Sequence, residues 1–126
     1  RRALVPESGD TLLLPRLAGW EVAARFYFLG EDMPAEAALA AGVVSELAEG
    51  AEGCRARAGE LAAQIADMPP LAVQAAKRMM RAALTDGYAD HVPRVLLQLL
   101  PLFRSADFAE ATAAFLQKRP ATFTGR

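Results

Sequence analysis

The chain has 126 residues, which suits one domain or part of one. Its hydrophobic fraction of 53% argues against disorder, and its net charge of −1 argues against a general nucleic-acid binder. Cys54 and His91 are the only cysteine and histidine, which excludes an internal disulfide and a Cys/His metal cluster. No apolar run approaches the roughly 20 residues that span a bilayer. We therefore expect a cytoplasmic protein that binds neither nucleic acid nor membrane.

Alanine and leucine dominate and aromatic residues are few, which favours helices over strands. Apolar periodicity and Gly/Pro punctuation predict helices over residues 11–14, 20–29, 35–41, 54–68, 71–84, 88–100 and 106–118. We expect Thr11 to cap the first helix, Pro15 to end or kink it, and Ser105 to cap the last. The β-branched residues in 43–47 predict one short strand, and the glycines in 49–53 predict a flexible hinge.

A series of short motifs runs along nearly the whole chain. They are, in order, Val5-Pro6-Glu7-Ser8-Gly9, Leu14-Pro15-Arg16-Leu17-Ala18-Gly19, Leu29-Gly30-Glu31, Ala35-Glu36-Ala37-Ala38-Leu39-Ala40-Ala41-Gly42-Val43-Val44, Met68-Pro69-Pro70-Leu71-Ala72-Val73, Ala76-Lys77, Arg104-Ser105-Ala106-Asp107-Phe108, Ala114-Phe115-Leu116-Gln117-Lys118-Arg119-Pro120 and Phe123-Thr124-Gly125-Arg126. In this order and spacing the motifs resemble the C-terminal part of the enoyl-CoA hydratase/isomerase superfamily, the crotonase fold.

The resemblance implies a mainly α chain, the C-terminal helical portion of a crotonase-like α/β fold. In the family, an N-terminal β-spiral supplies most of the acyl-CoA site and the two N–H groups that hold the thioester oxygen. No counterpart of it stands in this sequence, so we expect the chain to be the C-terminal fragment of a longer enzyme. We expect residues 1–50 to end the crotonase core and residues 51–126 to form a helical trimerisation region. The implied substrate is an acyl-CoA thioester, with no further cofactor, and the implied assembly is a trimer or a dimer of trimers. We expect the isolated chain to be inactive.

Glu7 is the catalytic residue that the resemblance implies. Family members that convert 3-enoyl-CoA to 2-enoyl-CoA carry a single catalytic Glu at this position, whereas hydratases usually have Gly there and two glutamates upstream. By that match, Glu7 removes a proton from C2 of the acyl chain and returns it at C4. The apolar residues 12–14 suit this role, because desolvation raises the proton affinity of a carboxylate. Asp10 places a second carboxylate nearby.

Lys118 and Arg119 resemble the basic pair with which the family C-terminus approaches CoA phosphates, and Phe123 resembles a residue that borders the adenine or acyl pocket. Another interpretation is that both cations lie at a helix C-terminus because the dipole favours them there, by about 0.3–1 kcal/mol.

Two alternatives to an isomerase stay open. One is a hydratase of the same fold, with its glutamates upstream of this sequence. The other is a non-catalytic helical oligomerisation module, which the continuous apolar segment from Val95 to Phe103 favours. Such a segment suits a helix buried between layers or against another subunit. We expect the isolated chain to self-associate through its exposed apolar faces.

Overall fold

The computed structural model of the chain describes Leu4, Pro6 and residues 8–126. Seven α-helices lie within this part of the chain: α1 (Asp10–Ala18), α2 (Trp20–Ala24), α3 (Ala35–Ala40), α4 (Gly50–Ala66), α5 (Pro70–Ala82), α6 (Tyr88–Leu102) and α7 (Ala106–Gln117). The chain divides into two compact units, Arg1–Arg57 and Ala58–Arg126. None of the helices is long and apolar enough to cross a membrane, over the residues that the structure describes. The prediction of a mainly helical chain is confirmed.

The first helix differs from the prediction at both of its ends. It begins at Asp10, after Gly9 with φ +85°, so Thr11 lies inside it and the predicted Thr11 cap is wrong. It also continues through Pro15 to Ala18. A proline in this position removes one N–H and therefore one hydrogen bond, to the carbonyl of Thr11, while the later turns still form.

The second helix has an unusual ending. The predicted span of residues 20–29 is helical, but after α2 the five residues Arg25–Leu29 form a π-helical turn. Gly30 then ends the helix with φ +64°, a conformation that suits glycine because it lacks a Cβ. π-Helical turns are rare and often occur at functional sites.

The strand predicted over residues 43–47 is wrong, because the backbone there serves as a helix cap. The Gly42 N–H donates to the Leu39 carbonyl at 3.0 Å, and the Val43 N–H donates to the Ala38 carbonyl at 2.9 Å. With Gly42 at φ +73°, this is the Schellman arrangement that ends α3. No strand lies in the described residues to pair with this segment, and β-branched residues do not form a strand without a neighbour.

The hinge predicted over residues 49–53 is also wrong, since α4 begins at Gly50 and continues for 17 residues. Each glycine in a helix costs about 1 kcal/mol relative to alanine. A long alanine-rich helix gains one hydrogen bond for each residue added, which offsets that cost. Glu52 in the first turn also interacts favourably with the positive end of the helix dipole.

In the second unit, helix packing, hydrogen bonds and a helix cap join the elements. α5 packs against α6, and the Arg78 guanidinium donates to the Gln98 side-chain oxygen from Nε at 3.1 Å and from Nη2 at 2.9 Å. Ser105 caps α7 as predicted, because its hydroxyl accepts the Phe108 N–H at 3.1 Å. Pro70 opens α5, as expected for a residue without an N–H.

Burial within the described residues is slight. The buried apolar side chains are three alanines, Ala23, Ala75 and Ala114. Large apolar side chains stay exposed, among them Leu97 at 67% and Phe115 at 82%. Apolar area of this extent is unusual for a free surface of a soluble domain and is typical of surfaces that are covered by other protein.

Candidate functional site

The predicted CoA-binding residues lie where α7 ends. Lys118 has φ +53° and ψ +41°, the left-handed conformation, and is the only non-glycine residue with positive φ among those that the structure describes. The Lys118 N–H donates to the Phe115 carbonyl at 3.2 Å, and the Arg119 N–H donates to the Ala114 carbonyl at 3.1 Å. These two bonds form a Schellman turn with lysine in the position that glycine normally takes. The Lys118 side chain is therefore carried on a defined turn.

Arg119 is held by its own chain. Its guanidinium forms a bidentate pair with Glu110, from Nη1 to Oε1 at 2.6 Å and from Nη2 to Oε2 at 2.8 Å. Nε donates to the Gln117 side chain at 2.7 Å, and Nη1 also donates to the Pro120 carbonyl at 3.0 Å. Four of its five N–H donors are thus used, so one remains for an external acceptor.

Glu110 also holds the backbone beyond Arg119, since its Oε1 accepts the Thr122 N–H at 3.0 Å. The hydrogen bonds from Arg119 and Thr122 lower the pKa of Glu110 to about 2. Phe123 follows immediately and is half-buried. The structure thus brings Lys118, Arg119 and Phe123 together in one short segment.

Asp107 is a second carboxylate on the same helix, and it is only 3% exposed. Its Oδ1 accepts the Thr124 N–H at 2.7 Å, and its Oδ2 accepts the Gly125 N–H at 2.9 Å. Its own N–H donates to the Arg126 carbonyl at 3.3 Å. Sequence reasoning missed both Asp107 and Glu110 as residues that hold the tail. The sequence signal for this role was a pair of acidic residues three apart near the start of the last helix, in a chain that ends in a tail containing a glycine.

The first unit holds an open cleft of about 420 Å³. Its lining is mostly apolar and consists of Asp10, Leu13, Leu14, Leu17, Phe26, Tyr27, Met33, Ala38 and Val43. Leu13 and Leu14 belong to the apolar run that the sequence suggested as a wall. Glu7 itself lies outside the described residues, so the structure does not relate it to this cleft.

Tyr27 and Asp10 are the two polar residues that line this cleft. The Tyr27 hydroxyl is buried and has no hydrogen-bond partner among the residues that the structure describes. Burial raises the pKa of Tyr27, and the negative charge of Asp10 raises it further. Tyr27 lies in the π-helical turn, between two other aromatic residues of the sequence. An unpaired buried hydroxyl is a costly feature that calls for a partner.

Metal-binding clusters are absent from the described part of the chain, where no group of three or more His, Cys, Asp or Glu side chains could hold an ion. The candidate functional side chains of the described residues are the cations and the aromatic ring of the tail and the polar groups of the apolar cleft.

Comparison with known proteins agrees with the motif order. Residues 2–126 match the family model described as enoyl-CoA hydratase/isomerase. The carnitinyl-CoA dehydratase of Salmonella typhimurium is 34% identical over 127 residues, which cover 98% of this chain and 48% of that protein. The chain spans about half the length of the curated relatives it matches.

Solved structures share the fold over almost the whole chain. The enoyl-CoA hydratase EchA1 from Mycobacterium marinum superposes with a TM-score of 0.91 at 34% identity, covering 99% of this chain and 49% of that one. An enoyl-CoA hydratase subunit I from Geobacillus kaustophilus gives a TM-score of 0.90 at 29% identity, covering 98% of this chain and 48% of that one. The helical arrangement is thus the one found in about half of each of these larger chains.

Proposed function

Because the chain belongs to the enoyl-CoA hydratase/isomerase family, we propose that the protein acts on the CoA thioester of an enoyl acid and moves its double bond from position 3 to position 2. Glu7 is the proposed acid/base. The observation that carries this choice is the carboxylate directly after Pro6, at the position where the resemblance implies a single catalytic glutamate. The alternative pattern, a glycine at that position, is typical of the hydratases.

The proposed reaction needs one group that is first a base and then an acid. The Glu7 carboxylate takes the proton from C2, which is acidified by the neighbouring thioester carbonyl, and the electron pair spreads over a dienolate. The protonated Glu7 then delivers the same proton to C4, so the double bond ends at position 2 and no atom is gained or lost. General acid/base catalysis of this kind contributes about 10²–10⁴-fold to the rate.

Binding of the CoA part is assigned to the tail. Lys118 is exposed, and among the residues that the structure describes no ion pair neutralises its charge. An ammonium group on a defined turn attracts phosphate groups, with an affinity that falls as salt concentration rises. Phe123 supplies an aromatic ring in the same segment. Arg119 contributes at most its one remaining N–H, since Glu110 holds the rest of its guanidinium.

Hydration or dehydration is the second candidate reaction, and a specific observation favours it. The curated relatives at 34% identity are named carnitinyl-CoA dehydratases, and one of the structural neighbours at 34% identity is named an enoyl-CoA hydratase. In this alternative the acid and base are glutamates outside this sequence, and Glu7 is dispensable.

The two reactions are separated by substitution of Glu7 in the protein as its gene encodes it. We expect Glu7→Gln to lower 3-enoyl-CoA isomerisation by about 10²–10⁴-fold. The matched control is Glu36→Gln, which removes an exposed carboxylate outside the lining of the cleft and keeps Glu7. Isomerase activity that survives Glu7→Gln, or hydration of 2-enoyl-CoA as the only activity, would overturn the isomerase assignment. Absence of both activities would favour the non-catalytic oligomerisation module.

Self-association is proposed on the basis of the apolar faces. Leu96, Leu97 and Leu100 on α6 are each more than half exposed, and water contact with such a face is unfavourable. We propose a homo-oligomer, as a trimer or a dimer of trimers, and light scattering at micromolar concentration tests it. A monodisperse monomer would contradict the proposal.

The cytoplasmic location stays a prediction.

A further inference from the structure

The last residues of the chain are fastened to α7 at two carboxylates on one helix face. Glu110 accepts the Thr122 N–H at 3.0 Å, and Asp107 accepts the Thr124 N–H at 2.7 Å. Residues three apart on a helix lie on the same face. Phe123 therefore has both of its neighbouring N–H groups bound to the same helix, which restricts its backbone from either side.

Asp107 is the stronger of these two attachments by geometry. Its carboxylate accepts two backbone N–H groups and also lies 3.4 Å from the Thr124 hydroxyl. It is the second residue of α7, where the positive end of the helix dipole favours a negative charge. A carboxylate with three donors that is also almost completely buried has little capacity left to bind a substrate directly.

The tail itself is built to fit this attachment. Gly125 has φ +74°, and a Cβ at this position would lie 3.6 Å from Pro70 Cγ and 3.7 Å from Pro70 Cβ. A side chain is rarely found in this backbone conformation, so glycine is required for strain-free binding of its N–H to Asp107. The attachment of the tail therefore depends both on the Asp107 carboxylate, which accepts the hydrogen bonds, and on Gly125, whose backbone conformation allows its N–H to donate.

We propose that Asp107 is a positioning residue for CoA binding: it holds the tail so that Phe123 faces the nucleotide part of the substrate. This inference rests on the proposed function of the tail. Asp107 touches no substrate in this scheme and acts only through Phe123. A merely structural Asp107 would affect unfolding but would leave the affinity of the folded protein for CoA unchanged.

The test is a double-mutant cycle, with the Kd for CoA measured by calorimetry on the protein as its gene encodes it. We expect Phe123→Ala to weaken binding by about tenfold, in line with loss of one aromatic stacking contact with a base, and Asp107→Asn to weaken it by up to that factor, because the ring is then no longer held in place. The double variant should bind no more weakly than Phe123→Ala alone, because Asp107 acts through that ring. Asp86→Asn is the matched control, since it removes a carboxylate that is paired with Arg94 and does not contact the tail.

A second variant covers the case in which Asp107→Asn does not fold. Gly125→Ala disturbs the same attachment from the tail and leaves α7 unaltered, so it should weaken CoA binding in the same direction. If Phe123→Ala weakens binding while Asp107→Asn and Gly125→Ala bind like the unaltered protein, the positioning role is overturned and the CoA assignment of the tail stands. If Phe123→Ala and Lys118→Ala both leave the Kd unchanged, the CoA assignment fails and the positioning role fails with it.

Discussion

The Arg119 guanidinium and the Glu110 carboxylate form a bidentate pair, with both N–O distances below 3 Å, across the end of α7. The pair joins a residue of the last helix to the first residues of the tail. The pair ties Arg119 to α7, whereas Lys118 has no ion pair among the described residues. The assignment of roles within the basic pair therefore follows from this one contact.

The same pair predicts how Glu110 titrates. Its pKa is lowered from the ordinary 4.5 to about 2 by hydrogen bonds from Arg119 and Thr122. A carboxyl whose pKa is lower in the folded protein stabilises the fold above its unfolded pKa and loses that contribution as the pH falls through the folded value. We expect the contribution of Glu110 to be complete above about pH 5 and to vanish toward pH 2.

Titration of the Glu110 side-chain carbon by NMR measures this directly. The pKa should rise toward the ordinary value in Arg119→Gln, which keeps the length of the side chain but removes the charge. A Glu110 carboxyl that titrates near 4.5 in the unaltered protein would contradict the ion pair.

The left-handed backbone of Lys118 leads us to expect that replacement by glycine stabilises the protein. Because a left-handed conformation costs a residue with a Cβ about 1 kcal/mol, Lys118→Gly should raise the free energy of unfolding by up to about that amount. Urea denaturation measures the change. The same substitution at the exposed Lys77, inside α5, should instead destabilise by about 1 kcal/mol. Destabilisation by both variants would show that the turn at Lys118 is not left-handed in solution.

The Ser105 side chain caps α7, and its removal should destabilise the protein. Its hydroxyl accepts the Phe108 N–H and also donates to the Leu102 carbonyl at 2.7 Å. Ser105→Ala should lower the free energy of unfolding by about 1 kcal/mol, whereas Ser105→Thr should retain most of it. Ser45→Ala, at an exposed position outside any helix, serves as the control and should have no measurable effect. Equal midpoints in urea for Ser105→Ala and Ser45→Ala would refute the cap.

Because the Tyr27 hydroxyl is buried without a partner among the described residues, we expect its removal to stabilise the protein. A buried hydroxyl without a partner costs about 1–3 kcal/mol, so Tyr27→Phe should raise the free energy of unfolding by about 1 kcal/mol. Tyr88 is 87% exposed, and Tyr88→Phe should therefore leave stability unchanged. A fall in stability in Tyr27→Phe would mean that the hydroxyl has a partner beyond the described residues.

Local signals account for the parts of the fold that the sequence predicted well. The Ser105 cap, the start of α5 within one residue of its predicted position and the end of the second helical span at residue 29 depend only on neighbouring residues and on intrinsic backbone preferences. The errors at residues 43–47 and 49–53 have the opposite origin. At residues 43–47, the backbone N–H groups of the segment cap α3 and do not form strand hydrogen bonds. At residues 49–53, the cooperativity of a long helix outweighs the cost of two glycines.

The site divides in the same way. The sequence and its family resemblance pointed to Glu7, Lys118, Arg119 and Phe123, and these roles stay predictions. That Lys118 is strained and exposed while Arg119 is paired follows only from the structure, since both residues look alike as adjacent cations.

The sequence by itself determined the helical class of the chain, most helix boundaries and its family, because these depend on composition, short-range periodicity and motif order. Only the tertiary structure decided which carboxylates hold the tail. Asp107 and Thr124 are 17 residues apart, and Glu110 and Thr122 are 12 apart, so nothing in the local sequence shows that they meet. Their pairing depends on the left-handed turn at Lys118, which reverses the chain and brings backbone N–H donors back to the acids of α7.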